Sequence, residues 1–136
     1  MSPEKVKLLL VDDSELMLGY LADLLRKSGY EVFAARNLVD SVGLYGRHRP
    51  SVVLSDFVLG ANQTGLEVIS AIFALNEASR PTAAILTQGA LSPMDQKRAE
   101  FLSVRVLQKP KRGHEQQFVE EVAEWITLRQ GLGGTK

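Results

Sequence analysis

Short apolar runs alternate along the chain with longer segments whose apolar residues recur at helical spacing. Residues 8–11 are continuously apolar, which is typical of a parallel strand that is buried on both faces. Similar short runs occupy residues 32–35, 51–55, 82–86 and 104–107, and the last of these alternates as an edge strand does. The segments between and after them carry helical periodicity, so the pattern predicts five strand–helix pairs.

The helical segments show where each apolar stripe should lie. The first stripe consists of Met17, Tyr20, Leu21, Leu24 and Leu25, and the last of Phe118, Val119, Val122, Ala123 and Ile126, with Trp125 near its boundary. The fourth helix has a thin stripe of Met94, Phe101 and Leu102, so we expect it to be largely exposed. Residues 56–62 show neither period and are expected to form a loop.

Capping residues mark the ends of these helices. The expected N-caps are Ser14, Asn37, Thr64 (which forms a capping box with Glu67) and Ser92 (which precedes Pro93). Gly29 stands where a left-handed residue would end the first helix.

Strands that alternate with helices predict an α/β fold with a doubly wound parallel sheet. The first and third strands are the most apolar, which favours central positions and a strand order of 2-1-3-4-5. Residues 1–130 are expected to form one domain, and the glycine-rich residues 131–136 a tail or a linker stub. In such sheets ligands bind at the carboxyl ends of the strands.

Composition removes several classes of function. The 136 residues include 16 basic and 16 acidic side chains, so the chain carries no net charge that would attract nucleic acid or an anionic membrane. The absence of cysteine excludes disulfides and thiolate chemistry, and two histidines are too few for a multi-histidine zinc site. No apolar run near the N-terminus is long enough to span a membrane, and we expect a cytoplasmic protein.

Five reactive side chains fall at the carboxyl ends of four predicted strands. Asp12 and Asp13 follow the first strand, Asp56 the third, Thr87 the fourth and Lys109 the fifth. Three crowded carboxylates call for a cation, and Mg²⁺ suits a site with oxygen ligands. A site that combines Mg²⁺, an ammonium and a hydroxyl is suited to a phosphoryl group, with Asp56 as the candidate nucleophile.

These motifs resemble the receiver domains of response regulators in two-component signalling. The resemblance covers roughly residues 5–128 and is carried by residues 9–13, 53–56, 86–87 and 108–110. It implies the flavodoxin-like fold of the chemotaxis regulators, with Asp56 as phosphoacceptor. It also implies that Asp13 and the backbone carbonyl of Val58 bind Mg²⁺ with Asp56, that Asp12 holds a metal-bound water, and that Thr87 and Lys109 bind phosphoryl oxygens.

Three positions that bear on switching and output depart from the family pattern. Val106 replaces an aromatic residue that turns inward on phosphorylation, Gln88 replaces a small residue, and Pro110 is followed by Lys111 rather than by an apolar residue. These departures leave the acid, metal and lysine chemistry in place but alter the expected output step.

Three functions are consistent with these residues. The first is a phosphoacceptor switch that is not an enzyme in its own right, served by a sensor histidine kinase or phosphotransfer protein and read by an unknown effector. The second is a degenerate receiver that binds partners independently of phosphorylation. The third is a phosphohydrolase with an aspartyl-phosphate intermediate, but Val58 stands where such enzymes carry a second acid. We expect a monomer or a weak homodimer.

Overall fold

A computed structural model describes residues 4–60 and 62–131 of the chain. Their strands and helices alternate along almost the whole described length. In chain order the elements are β1 (Lys7–Val11), α1 (Glu15–Lys27), β2 (Glu31–Ala35), α2 (Leu38–His48), β3 (Val52–Asp56), β4 (Val58–Leu59), β5 (Gln63–Thr64), α3 (Gly65–Leu75), a 3₁₀ turn (Glu77–Ser79), β6 (Thr82–Thr87), α4 (Pro93–Phe101), β7 (Arg105–Gln108), α5 (Glu115–Ile126) and a π-helical turn (Thr127–Gly131).

The central sheet contains five parallel strands in the order β2-β1-β3-β6-β7. Counted among the predicted strands, this is the expected order 2-1-3-4-5, and the α/β fold class is confirmed. β1 pairs on both sides, Leu9 lying opposite Phe33 of β2 and Val53 of β3. Its fully apolar sequence follows from this position, because helices cover both faces of a central strand.

The alternation of side chains across β1 divides the core into two apolar layers. Leu8 and Leu10 pack in the layer that includes the buried faces of α1 and α5. Leu9 and Val11 pack in the opposite layer, with residues of α2, α3 and α4. Successive side chains of a strand point to opposite faces, so one short run supplies both layers.

The helix ends follow the predicted capping signals. The side chains of Ser14, Asn37 and Ser92 accept hydrogen bonds from Met17, Asp40 and Asp95 backbone amides, respectively. Thr64 and Glu67 form the complete capping box at the start of α3. Gly29 adopts a φ of 103°, as expected after α1.

The loop predicted for residues 56–62 is interrupted by strand residues, while Phe57, Gly60 and Asn62 lie in bends and turns as expected. Asp56 is the last residue of β3, and β4 and β5 make a two-stranded antiparallel hairpin in which Val58 lies opposite Thr64 and Leu59 opposite Gln63. Strands of two residues are too short to show an alternating sequence pattern, which explains the error.

The predicted helix stripes need three corrections. Tyr20 is 39% exposed and donates its hydroxyl hydrogen to the Glu115 carboxylate at 2.9 Å, so it bridges α1 and α5 at the surface. Ala123 is exposed, because Phe118, Val122 and Trp125 define the buried stripe of α5 and Ala123 lies one residue beside it. Trp125 is 2% exposed and therefore belongs to the core rather than to its boundary.

α4 is largely exposed, as its thin stripe predicts. Ala99 is its single buried residue, whereas Met94 is 71% and Phe101 88% exposed. Gly131 closes the π-helical turn, and the rest of the expected tail, residues 132–136, lies outside the described residues. Among the described helices, none combines the length and the apolar character that crossing a membrane requires.

Candidate functional site

Three carboxylates meet at the carboxyl edge of the sheet. Asp12 and Asp13 follow β1 directly, and Asp56 ends the adjacent strand β3, where Val11 lies opposite Ser55. One carboxylate oxygen from each of the three residues lies within 4.8 Å of the others. This arrangement matches the placement expected from the strand ends.

Lys109 brings a positive charge into this cluster. Its Nζ lies 3.1 Å from Asp56 Oδ1 and 3.6 Å from Asp12 Oδ2. The lysine backbone is fixed as well, because its N–H donates to the Thr87 carbonyl at 2.9 Å. The side chains of Asp12 and Lys109 are 1% and 11% exposed, so this ion pair is shielded from water.

The chain holds Asp12 and Asp13 through backbone amides. Ser14 N–H donates to Asp12 Oδ1 at 2.9 Å, and Gly60 N–H donates to Asp13 Oδ2 at 3.0 Å. Arg36 in turn donates to the Asp13 carbonyl at 3.1 Å. Within the described part of the chain, Asp12 Oδ2 is a buried acceptor without a hydrogen-bond partner, and its polar contact is the longer approach of Lys109.

The carboxylates outnumber the cation that faces them. Burial raises the pKa of Asp56 above its ordinary value, Lys109 opposes this by hydrogen bonding and by charge, and the charges of Asp12 and Asp13 raise it further. A buried acceptor without a hydrogen bond and two neighbouring carboxylates both indicate that the site lacks positive charge. Three clustered carboxylate oxygens fit Mg²⁺, which binds through one or two carboxylates and water.

Gly65 sets the distance between the start of α3 and Asp56. A Cβ at this position would overlap the Asp56 carbonyl oxygen and would lie 2.7 Å from Ile85 Cδ1 and 2.8 Å from Ser55 Oγ. The Gly65 N–H also donates to the Phe57 carbonyl at 2.7 Å. Glycine is therefore required for α3 to begin directly beside the end of β3.

Thr87 ends β6 but its hydroxyl is engaged in its own loop. It donates to the Gly89 carbonyl at 3.0 Å and accepts from the Gly89 N–H at 3.3 Å. Among the described contacts, none joins this hydroxyl to a carboxylate of the cluster. The side chain of Val58 is 67% exposed, so its proposed role would rest on its backbone carbonyl.

The three residues predicted to bear on output lie after β6, in β7 and after Lys109. Gln88 is exposed in the loop after β6. Val106, in β7, and Pro110, the residue after Lys109, are half-buried. Val106 packs against the apolar layer that contains α3 and α4.

Sequence reasoning did not assign a site role to Gly60, Gly65 or Arg36. The glycine that opens α3 directly after the N-cap Thr64 was a usable signal, because glycine is used where the backbone approaches a neighbour closely. The contact between Gly60 and Asp13 spans 47 positions, and no local pattern reports such a contact.

Comparison with known proteins places this chain in a family. Residues 8–122 match the family described as the response regulator receiver domain. The chain belongs to this family, and it is therefore a signalling domain of two-component response regulation rather than a classical enzyme.

A curated relative agrees with this assignment. The polar-differentiation response regulator DivK of Brucella anthropi is 38% identical over 60 residues, which is 44% of this chain and 48% of that protein. The matched segment thus spans about half the length of this curated relative.

Solved structures show the same fold. Chemotaxis protein CheY4 of Vibrio cholerae has a TM-score of 0.78 at 22% identity, covering 89% of this chain and 98% of that one. A CheY-like receiver domain protein of Methanospirillum hungatei has a TM-score of 0.80 at 19% identity, covering 94% of this chain and 98% of that one.

Proposed function

We propose that this chain is a phosphoacceptor switch in which Asp56 receives a phosphoryl group with the help of Mg²⁺. The donor is the phosphohistidine of a sensor histidine kinase or of a phosphotransfer protein. The observation that carries the proposal is the half-buried Asp56 carboxylate, which Lys109 contacts at 3.1 Å and two further carboxylates adjoin.

The transfer exchanges one bond to phosphorus for another. An Asp56 carboxylate oxygen forms the new O–P bond while the P–N bond to the donor imidazole breaks, and the imidazole leaves with the electron pair and takes up a proton. Lys109 is placed to bind a phosphoryl oxygen, because its ammonium already lies beside the attacking carboxylate. Positioning and charge stabilisation are the main contributions that a protein makes to phosphoryl transfer.

The residues that would hold Mg²⁺ are Asp13, Asp56 and the Val58 carbonyl, with Asp12 holding a metal-bound water. When bound, the ion supplies the positive charge that a phosphoryl group needs beside three carboxylates. Asp12 supports this role, since its Oδ2 is buried without a hydrogen-bond donor.

Phosphorylation would also change the loop that follows β6. The Thr87 hydroxyl would leave its hydrogen bonds to Gly89 and bind a phosphoryl oxygen, so that residues 87–91 rearrange. α4 follows this loop and is weakly packed, with Ala99 as its single buried residue, and it is therefore the element best able to respond.

Acetyl phosphate and Mg²⁺, followed by intact-mass measurement, test the proposal. Wild-type protein should gain about 80 Da, the mass that one phosphoryl group adds in place of a proton. Asp56→Asn should gain nothing, and the matched control Asp40→Asn, which alters an exposed acid at the start of α2, should behave as wild type. Labelling that persists in Asp56→Asn, or fails in wild type with Mg²⁺ bound, would refute the assignment.

A degenerate receiver is the second candidate, and Val106 is the observation that favours it. Without the aromatic residue, the usual coupling between threonine and β7 is absent, so a chemically intact site can lack an output. Affinity for a purified partner, measured with and without beryllofluoride and Mg²⁺, distinguishes the degenerate receiver from the phosphoacceptor switch. Equal affinity in both states supports the degenerate receiver, whereas a several-fold change in affinity supports the switch.

A further inference from the structure

A polar cavity lies at the edge of the sheet opposite the Asp56 cluster, near the amino ends of β3 and β6. It encloses about 490 Å³, and three arginines from separate parts of the chain line it. Arg49 follows α2, Arg80 follows the 3₁₀ turn, and Arg129 lies in the π-helical turn after α5.

Each of the three guanidinium groups is held in place by a neighbour. The Cζ atom of Arg49 lies 5.3 Å from the centre of the Tyr45 ring, and that of Arg80 lies 4.7 Å from the centre of the Phe73 ring. Arg129 donates to the Ser103 carbonyl at 3.5 Å. Stacking on an aromatic ring restrains an arginine but leaves its charge uncompensated.

No carboxylate neutralises these arginines among the side chains that the structure describes. The ion pairs found there involve Lys27, Arg98 and Lys109. The other described residues that line the cavity are uncharged, and Asn76, Ser79 and Thr82 add hydrogen-bonding groups. Because the whole chain has no net charge, this concentration of positive charge is local.

An adjoining cavity of about 470 Å³ shares Arg80 and Arg129 with the first. Its lining includes the apolar side chains of Phe73, Leu102 and Leu128. A ligand that spans both cavities would therefore meet guanidinium groups in each of them, with the side chains of Leu102 and Leu128 beside those of the second.

We propose that this arginine pocket binds the phosphate groups of a small molecule. Arginine matches phosphate because its planar fork of N–H donors binds two oxygens at once. Each cavity has the volume of a small-molecule site, and three cations match a ligand with several phosphate charges. The site lies across the sheet from Asp56, so it is separate from the proposed phosphorylation.

Isothermal titration calorimetry of the full chain with tripolyphosphate and with ATP tests this proposal. Both titrations are run in low salt with EDTA, so that without Mg²⁺ the carboxylates of the Asp56 cluster repel the anions. We expect a Kd below about 1 mM for at least one probe, and roughly five- to tenfold weaker binding in Arg80→Gln and in Arg129→Gln. Arg112→Gln removes the same charge near the other edge of the sheet and should bind as wild type does.

The two probes distinguish the sources of phosphate. Tighter binding of ATP supports a nucleotide whose base and ribose also contact the adjoining cavity, whereas equal binding supports a polyphosphate group alone. Absence of binding by both probes at 5 mM would overturn the proposal, as would equal weakening by Arg112→Gln. Arg80→Lys keeps the charge and loses the fork, so intermediate affinity in this variant excludes unfolding as the cause of weak binding.

Discussion

Gly65→Ala is the substitution whose effect the structure defines most sharply. The added Cβ would overlap the Asp56 carbonyl oxygen, which belongs to the backbone and cannot rotate away. Ile85 Cδ1 and Ser55 Oγ, at 2.7 and 2.8 Å, would also have to move. Either the start of α3 or the end of β3 must therefore shift.

Two opposing effects set the change in the free energy of unfolding that Gly65→Ala should cause. Alanine in place of glycine within a helix stabilises by about 0.5–1 kcal/mol. Forcing a methyl group into a filled space costs about 1–3 kcal/mol, and here part of the obstruction is rigid backbone. We expect the overlap to prevail, with a net loss of up to about 2.5 kcal/mol in the free energy of unfolding.

Urea unfolding followed by circular dichroism measures this difference. Gly43→Ala is the matched control, because it lies in α2 and its Cβ would meet no atom within 4 Å. The control should gain about 0.5–1 kcal/mol, so the two substitutions should change stability with opposite signs and leave the m-value unaltered. Equal or greater stability in Gly65→Ala would refute the argument that α3 must begin in contact with β3.

Other predictions concern the charge of the site and the start of α3. Without divalent cations, burial and the neighbouring acids raise the pKa of Asp56, so ionisation of Asp56 disfavours folding. This penalty is absent below the unfolded pKa near 4, and it appears as pH rises through the folded pKa. Asp56→Asn should therefore gain stability relative to wild type between about pH 4 and pH 7 in urea unfolding, and a constant difference would contradict this. Mg²⁺ at tenfold excess over its Kd should stabilise wild type by about 1.4 kcal/mol in thermal unfolding. Asp13→Asn should lose most of this gain, whereas the exposed-acid control Asp40→Asn should keep it. Thr64→Ala removes the capping box and should cost about 1 kcal/mol, whereas a change below about 0.3 kcal/mol would show that the cap contributes little.

Much of the fold was accessible from the sequence because its signals are local. The apolar run of residues 8–11 predicted β1 to within one residue, since a central parallel strand needs apolar side chains on both faces. Ser14, Asn37 and Thr64 predicted helix starts correctly because a cap acts within three residues of itself.

The errors arose where contacts are distant or elements are very short. The β4–β5 hairpin has two residues in each strand and is therefore invisible to periodicity. Tyr20 fits the helical spacing of the buried stripe, but a partner on α5, Glu115, holds it at the surface. The strand ends predicted that Asp12, Asp13, Asp56 and Lys109 would meet, but they did not predict that the Thr87 hydroxyl would bind Gly89 instead.

The weak anchoring of α4 has a consequence for the dynamics of the chain. A helix that buries Ala99 alone places little apolar area against the sheet, so detaching or unwinding it requires much less free energy than unfolding the whole domain. Its amide protons should exchange with deuterated solvent well before those of β1 and β3, whose apolar side chains are fully enclosed. β6 lies beside β3 in the sheet and leads through the loop after Thr87 into α4, so a single strand separates the enclosed core from the weakly anchored helix.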